Sequence, residues 1–336
     1  MIKMNNIINI NNSKSVFIIE KDIINDKWTF LNKDKNHIVI TDSNLFTIYN
    51  TLLNKIPNLI DIISIPAGEK SKSFETYQVI LNRLCDLNVS RNDVIISFGG
   101  GVISDLSSFV GSTYQRGTEV ISIPTTLLSM VDASIGGKCG VNLGEFKNQI
   151  GTFYFPSKVI FDLSLLNTLP EKEFNNGIAE IVKYALLKDE ILFDELFSNS
   201  YNLEKVIKKC INYKLEIIGT DIFDQKNRKL LNFGHTYGHI VESHSKYSIS
   251  HGNAVAIGLI KEIDNPEIKE KVSKLLSRYF DLNYNIPFEY GKQCILKDKK
   301  RIDNTIDIVQ LNSIGNATLI KKKVEELLNE YFWQKY

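Results

Sequence analysis

The chain has 336 residues, 43% of them hydrophobic, which is enough for two domains with buried cores. Forty lysines and arginines nearly balance 39 aspartates and glutamates, so the net charge of +1 excludes the broad basic surface typical of nucleic-acid or membrane-surface binding. No apolar stretch approaches the roughly 20 residues of a membrane span. Met1 to Asn12 lacks the apolar core of a signal peptide, and we therefore expect a cytoplasmic protein.

The first half of the chain alternates short β-branched runs with helix-length polar segments. The runs lie at 37–41, 60–65, 94–98, 120–123 and 158–161. This alternation predicts an α/β domain with a doubly wound, mostly parallel sheet, an arrangement that binds nucleotides at the carboxyl ends of its strands.

The second half has a helical pattern. From Pro170 onward apolar residues recur at intervals of three and four, as in Ile178, Ile181, Val182 and Ala185. We therefore predict an α/β nucleotide-binding domain over 1–165, followed by an all-α domain over 166–336.

A run of three glycines, Gly99 to Gly101, follows a predicted strand and opens a helical pattern. Glycines there allow a sharp turn close to a phosphate, and the free amides of the helix start supply donors. Because the run is not G-x-G-x-x-G, a plain strand-to-helix turn is the alternative. Asp42 ends the first strong strand, where it suits either a ribose or a helix N-cap.

Histidines cluster in the second half. Helical spacing places His235, His239 and Glu242 on one face, and His251 follows soon after. The cluster predicts a divalent metal or a catalytic site. Glu180 stands among apolar helix positions, where a buried acid needs a partner; a metal and an ion pair with Lys183 are the two candidates.

Several motifs follow one another in a fixed order. They are PAGEKSKS at 66–73, GGGVISD at 99–105, RG at 116–117, PTTLL at 124–128, Asp132, GGK at 136–138, Asn142, KN at 147–148, LP at 169–170, E-x-x-K at 180–183 and LNFGHTYGH at 231–239. In this order they resemble the dehydroquinate synthase family, from about Asp42 to about Gly315.

The resemblance implies a dehydroquinate synthase-like fold with the active site in the cleft between the domains. It implies an NAD-dependent lyase that also uses a divalent metal, zinc or cobalt. The implied reaction converts 3-deoxy-D-arabino-heptulosonate 7-phosphate to 3-dehydroquinate and phosphate, in the shikimate pathway to chorismate and the aromatic amino acids. The implied partners are this small substrate and a second copy of the chain, with no nucleic acid or membrane.

The same resemblance assigns roles to residues of this chain. It implies that the cofactor is held by Asp42, Glu69, Lys72, Gly101, Val102, Asp105, Thr125, Thr126, Lys138, Lys147 and Thr168. The implied metal ligands are Glu180, His235 and His251. The implied catalytic residues are Asp132, Lys183, Lys214, Arg228, Asn232 and His239. Further substrate contacts would come from Arg116, Lys138, Asn148 and Lys299, with Arg116 reaching across from a neighbouring subunit.

The chain departs from the family pattern at a few positions. Where the family has two glutamates, Ile222 and Asp224 stand here, and Asn253 replaces the acid that follows the third metal ligand. The last change removes a carboxylate suited to orienting that ligand.

Three alternatives therefore stay open. One is a sister sugar-phosphate cyclase, such as a 2-deoxy-scyllo-inosose synthase or a valiolone-type synthase, and Arg228 argues against it as a partner for a substrate carboxylate. Another is an iron-dependent alcohol or glycerol dehydrogenase, which would not need so many cations. The third is an inert homologue, which the intact set Glu180, Lys183, His235 and His251 disfavours.

Overall fold

The computed structural model describes residues 4–10, 13–25, 27–144, 146–296 and 301–332. The chain divides into two compact units, Met1–Pro170 and Glu171–Tyr336. In the first unit the strands are β1 (Met4–Ile10), β2 (Ser13–Ile19), β3 (His37–Asp42), β4 (Leu59–Ile65), β5 (Val94–Gly99), β6 (Glu119–Pro124), β7 (Lys138–Leu143), β8 (Phe146–Phe153) and β9 (Lys158–Phe161). Its helices are α1 (Ser43–Leu53), α2 (Phe74–Asp86) and α3 (Gly101–Thr113).

The second unit is mainly helical. Its helices are α4 (Glu171–Lys188), α5 (Glu190–Phe197), α6 (Leu203–Thr220), α7 (His235–His244), α8 (His251–Glu262), α9 (Pro266–Leu276), α10 (Phe288–Leu296) and α11 (Val324–Phe332). Its strands are β10 (Arg301–Ile302), β11 (Thr305–Ser313) and β12 (Asn316–Lys323). Within the described ranges, no helix is long and apolar enough to cross a membrane.

A seven-stranded sheet in the order β1-β2-β9-β6-β5-β3-β4 forms the centre of the first unit. From β2 to β4 all neighbours pair in parallel, and β1 pairs with β2 in antiparallel fashion. Each of the five predicted runs forms one of these strands, so the doubly wound fold is confirmed. The order changes direction between β3 and β5, the point at which folds of this class bind ligands.

The helical second unit is also confirmed, with one addition. A three-stranded antiparallel sheet, β10-β11-β12, lies in it, which the helical periodicity did not predict. Helices α7 and α8 pack very closely, because a Cβ on Gly258 would lie 1.9 Å from the Gly234 carbonyl oxygen. This approach fixes the positions of the two helices that carry most of the histidines.

Candidate active site

The glycine turn joins β5 to α3 at the switch point of the sheet. A Cβ on Gly99 would lie 2.5 Å from the Ile103 Cβ, and one on Gly100 would lie 3.0 Å from the Thr126 Cγ2, so larger residues do not fit. Gly100 is the N-cap of α3 and has no side chain to bond the first amides of the helix. Those amides and the positive end of the helix dipole suit an anionic group such as a phosphate.

A polar network beside this turn gathers residues from four motifs. The Lys72 amino group forms an ion pair with Asp105 and donates to the Asn148 Oδ1 at 2.6 Å. The Asn142 amide donates to the Glu69 Oε1 at 2.9 Å, while its Oδ1 accepts from the Asn148 backbone N–H at 2.9 Å. The structure thus brings Glu69, Lys72, Asp105 and Asn148 together.

Lys72 keeps its charge although it is buried. Burial alone would lower its pKa, but the carboxylates of Asp105 and Glu69 raise the pKa above its usual value. A buried cation held by two acids therefore lies next to the turn suited to a phosphate.

Asp42 is the N-cap of α1, as one of its two interpretations predicted. Its Oδ1 accepts from the backbone N–H groups of Asn44 and Leu45 at 2.9 and 3.1 Å, and both bonds use the same oxygen. On the same helix, the Tyr49 hydroxyl lies 2.7 Å from the Thr168 Oγ1. These contacts connect Thr168 to the helix that Asp42 caps.

Two adjacent threonines follow β6 and differ in their contacts. The Thr126 hydroxyl lies 2.8 Å from the Ser129 Oγ and accepts from the Ser129 N–H at 3.1 Å, as in a helix cap. The Thr125 hydroxyl is buried and has no hydrogen-bond partner among the residues that the structure describes. Since buried hydroxyls are nearly always paired, Thr125 suits contact with a bound ligand.

A carboxylate and two imidazoles converge in the second unit. Glu180 on α4 is fully buried, and its Oε1 lies 3.3 Å from the Nε2 of His235 and 3.3 Å from the Nε2 of His251. The two histidines are the first residues of α7 and α8. Glu180 also forms the predicted ion pair with Lys183.

Two of the donor separations in this cluster match those of a zinc site. Donors placed tetrahedrally about 2.0–2.1 Å from zinc lie roughly 3.4 Å apart, close to the two 3.3 Å separations here. In both histidines Nε2 faces Glu180 and Nδ1 faces an acceptor: the Phe233 carbonyl oxygen at 3.0 Å for His235, and the Glu242 Oε1 at 3.3 Å for His251. With Nδ1 bonded to an acceptor, Nε2 is the nitrogen that a metal would bind in each ring.

The charges around Glu180 favour its ionised form. Burial alone would raise the pKa of Glu180, but Lys183 and His235 hold it well below the usual value. Burial lowers the pKa of His235 and outweighs its single carboxylate neighbour. His251 faces two carboxylates, Glu242 and Glu180, which overcome burial and raise its pKa to about 10.

The second unit also contains three buried cations. Lys183, Lys214 and Arg228 are 1%, 5% and 3% exposed. The Lys183 amino group donates to the Leu231 carbonyl oxygen at 2.9 Å. Lysine and arginine bind phosphate and carboxylate groups, so three of them in one unit suit a ligand with more than one negative group.

Asp221 organises the loop that carries Arg228. Its carboxylate accepts from the backbone N–H groups of Gln225, Lys226 and Arg228 at 2.9, 2.6 and 3.0 Å. Arg228 in turn donates from Nη1 to the Ile222 carbonyl oxygen at 2.6 Å. Burial alone would raise the pKa of Asp221, but these backbone bonds lower it, which keeps the carboxylate ionised.

The remaining predicted residues are more dispersed. His239 is exposed on α7, with its ring centroid 5.4 Å from that of His235, and Asn232 ends the turn before α7. In the first unit Asp132 lies half-buried in a π-helical turn. The other first-unit positions are Val102 in the first turn of α3, Lys138 and Lys147 in β7 and β8, and the exposed Arg116. Lys299 lies outside the described residues.

Several residues of these networks had no assigned role in the sequence. Among them are Asn142, Glu242 and Glu262. The Glu262 carboxylate, at the end of α8, accepts from the backbone N–H groups of Gly234 and Tyr237 at 2.7 and 3.1 Å and so caps α7. The order of the motifs pointed to Asn142, and helical spacing pointed to Glu242. Glu262 had no signal in the sequence, because its partners are backbone amides.

Family models match most of the chain. Residues 62–176 match the model described as "3-dehydroquinate synthase N-terminal", and residues 177–301 match "3-dehydroquinate synthase C-terminal". A 3-dehydroquinate synthase of Clostridium perfringens (strain 13 / Type A) is 40% identical over 284 residues, which cover 79% of this chain and 81% of the relative. The chain belongs to the 3-dehydroquinate synthase family.

Other similarities agree with membership of the dehydroquinate synthase family. A 3-dehydroquinate synthase of Clostridium beijerinckii is 37% identical over 333 residues, covering 92% of this chain and 95% of the relative. Among solved structures, 2-epi-5-epi-valiolone synthase from Streptomyces hygroscopicus, with NAD+ and Zn2+ bound, shares the fold with a TM-score of 0.85 and 24% identity, covering 93% of this chain and 94% of that one. The carboxylate–histidine cluster lies inside the C-terminal dehydroquinate synthase match.

Proposed function

We propose that this chain converts 3-deoxy-D-arabino-heptulosonate 7-phosphate to 3-dehydroquinate and inorganic phosphate, using NAD and a divalent metal. The observation that carries the proposal is the convergence of Glu180, His235 and His251 in a unit with buried cations, within a chain of the dehydroquinate synthase family. The substrate bears a phosphate and a carboxylate, and such a ligand requires several cations.

The residues present are suited to hold both cofactors, the divalent metal and NAD. We assign zinc or cobalt to Glu180, His235 and His251, whose donor atoms all lie within 4.8 Å of one another. We assign NAD to the glycine turn and its surroundings, where Lys72 and the unpaired Thr125 hydroxyl lie. When bound, the metal supplies a Lewis acid that acidifies a substrate hydroxyl, and NAD accepts a hydride and later returns it.

The chain's own residues bind the substrate and handle protons. We propose that Arg228 binds the substrate carboxylate and that Lys183 and Lys214, with Asn232, bind its other anionic and polar groups. His239 is exposed one turn from His235, where a histidine can exchange a proton with the substrate or with water. We further propose that Asp132, Lys138, Asn148 and Lys299 contact the substrate, as the family resemblance implies.

Enzymes that act on other sugar phosphates have the same fold, so the substrate that the protein prefers is the deciding test. We expect the purified protein, given NAD and zinc, to release phosphate from the seven-carbon acid phosphate much faster than from a neutral hexose phosphate. Faster phosphate release from the neutral sugar would identify a sister cyclase instead. Arg228 favours the acid substrate, because a guanidinium pairs with a carboxylate through two parallel hydrogen bonds.

NAD should act as a recycled cofactor. The hydride that is removed returns to the same substrate molecule, so NAD at a small fraction of the substrate concentration should support complete conversion. Phosphate release and the absorbance of reduced nicotinamide, recorded together, test this prediction. Reduced cofactor that grows in proportion to substrate consumed would instead support a dehydrogenase.

We also propose a cytoplasmic homodimer in which Arg116 of one copy serves the active site of the other. Arg116 is exposed on a turn where Gln115 and Arg116 both have left-handed backbone, with φ of 51° and 62°. Two consecutive non-glycine residues in that region cost roughly 1–3 kcal/mol each. Such strain fits a turn that holds the arginine outward for a functional reason.

Mixing two inactive variants tests the role of Arg116. In a dimer of Arg116→Ala with His251→Ala, one site combines an intact metal cluster with an intact arginine. Random mixing should therefore restore about a quarter of wild-type activity, since half of the dimers are mixed and each has one working site. A mixture that stays as inactive as its components, although mass measurement shows mixed dimers, would place Arg116 in its own subunit's site or outside the mechanism.

A further inference from the structure

Glu242 is a buried carboxylate next to the histidine cluster. It lies on α7, two turns beyond His235, and its side chain is 5% exposed. Its Oε1 is 3.3 Å from the Nδ1 of His251 on α8. The contact therefore joins the two helices that carry the histidines.

The direction of this contact distinguishes it from an ordinary ion pair. His251 turns Nε2 toward Glu180 and Nδ1 toward Glu242, so the two carboxylates lie at opposite ends of one ring. A carboxylate accepts only from a protonated nitrogen. Glu242 consequently holds the proton on Nδ1, so that Nε2, which faces Glu180 and the shared centre of the cluster, is the nitrogen whose proton a metal would replace.

Asn253 lies two residues after His251 in α8. Asn253 does not take over the contact, because its Oδ1 is buried without a hydrogen-bond partner in the part of the chain that the structure describes. The carboxylate that orients His251 comes from α7.

We propose that Glu242 is a positioning residue, which fixes the ring orientation and tautomer of His251 for metal binding. The inference rests on the proposed metal site and deepens it. Carboxylates that accept from the distal nitrogen of a ligating histidine raise metal affinity about 10–100-fold in other metal sites. Glu242 also holds α8 to α7 at the point where His251 begins its helix.

The affinity for zinc, measured by competition with a chelator, tests the proposal without reference to activity. Glu242→Gln keeps the shape and a weaker acceptor, and Glu242→Leu removes the acceptor. We expect zinc affinity to fall in the order wild type, Gln, Leu, with a loss of about 10–100-fold for the leucine variant. Visible spectra of the cobalt-loaded proteins should show a changed coordination geometry in the same order.

Asp189→Asn is the matched control. Asp189 is a carboxylate of the same unit that contacts Lys209 and Tyr213, and its loss should lower stability without changing zinc affinity. A purely structural role for Glu242 would make zinc affinity follow the melting temperature across all three variants. If His251→Ala loses zinc while both Glu242 variants bind it as wild type does, the positioning role is wrong and the metal site stands. If His251→Ala keeps its zinc affinity, the metal assignment itself is wrong.

Discussion

Replacing His251 with alanine should remove bound metal and turnover together while the protein stays folded. The change deletes one of three donors in a cluster whose donor atoms lie within 4.8 Å of one another. Glu180 keeps Lys183 and His235 as partners, so the remaining charges still have counterions. Loss of a Lewis acid worth several kcal/mol corresponds to a fall in kcat of roughly a thousandfold.

Metal analysis of the purified protein, phosphate release and thermal unfolding should be measured on the same samples. His244→Ala is the matched control, because it removes a histidine of α7 that contacts Tyr284 instead of the cluster. The control should keep metal and activity. A His251→Ala protein that turned over substrate normally, or wild-type protein that stayed active after chelation, would contradict the metal role.

The centre of the first unit's sheet could be predicted because its central strands are buried on both faces. Such strands appear as unbroken β-branched runs, and Val94 to Gly99 is buried at every position. The alternation of these β-branched runs with helices then indicated a parallel topology. The strand order of the structure adds the switch point, which is flanked by the two strands that Asp42 and Gly99 end.

Other strands gave no clear signal. The β7–β8 hairpin pairs Gly140 with Gly151, where a Cβ on either would lie 2.2–2.3 Å from a backbone oxygen, so small residues replace the usual β-branched ones. In β11 the buried residues Ile306, Ile308 and Val309 combine alternation with an adjacent pair. A pattern of this kind is compatible with helix or strand, and the antiparallel sheet of the second unit was therefore missed.

The chemical groups of the site could be predicted better than the residues that position them. Clustered histidines and an acid among apolar helix positions stand out in a sequence, so His235, His239, His251 and Glu180 were candidates. The family resemblance then singled out Glu180, His235 and His251. Their orientation depends on contacts between distant segments, such as Glu262 with the start of α7 and Glu242 with His251. No local pattern encodes a hydrogen bond from a backbone N–H to a carboxylate 28 residues away.

Arg228→Lys should change the preference between the acid substrate and a neutral hexose phosphate more than any other single substitution. Arg228 is 3% exposed, and its loop is fixed by Asp221, which accepts from the Arg228 backbone N–H at 3.0 Å. A lysine keeps the charge but cannot form two parallel hydrogen bonds with a carboxylate. A carboxylate left without that partner in a desolvated site loses a few kcal/mol, so kcat/KM should fall roughly a hundredfold or more.

The neutral hexose phosphate separates this effect from damage to the loop. Arg228 donates to the Ile222 carbonyl oxygen at 2.6 Å, and a lysine would lose that bond whichever substrate is present. Loop damage alone would slow both substrates equally, whereas loss of carboxylate pairing should slow the acid substrate far more. Arg278→Lys, which changes an arginine stacked on Phe197, should leave the ratio between the substrates unchanged. If Arg228→Lys also left that ratio unchanged, Arg228 would not be the carboxylate partner, and the case for an acid substrate over a neutral one would lose its main support in this chain.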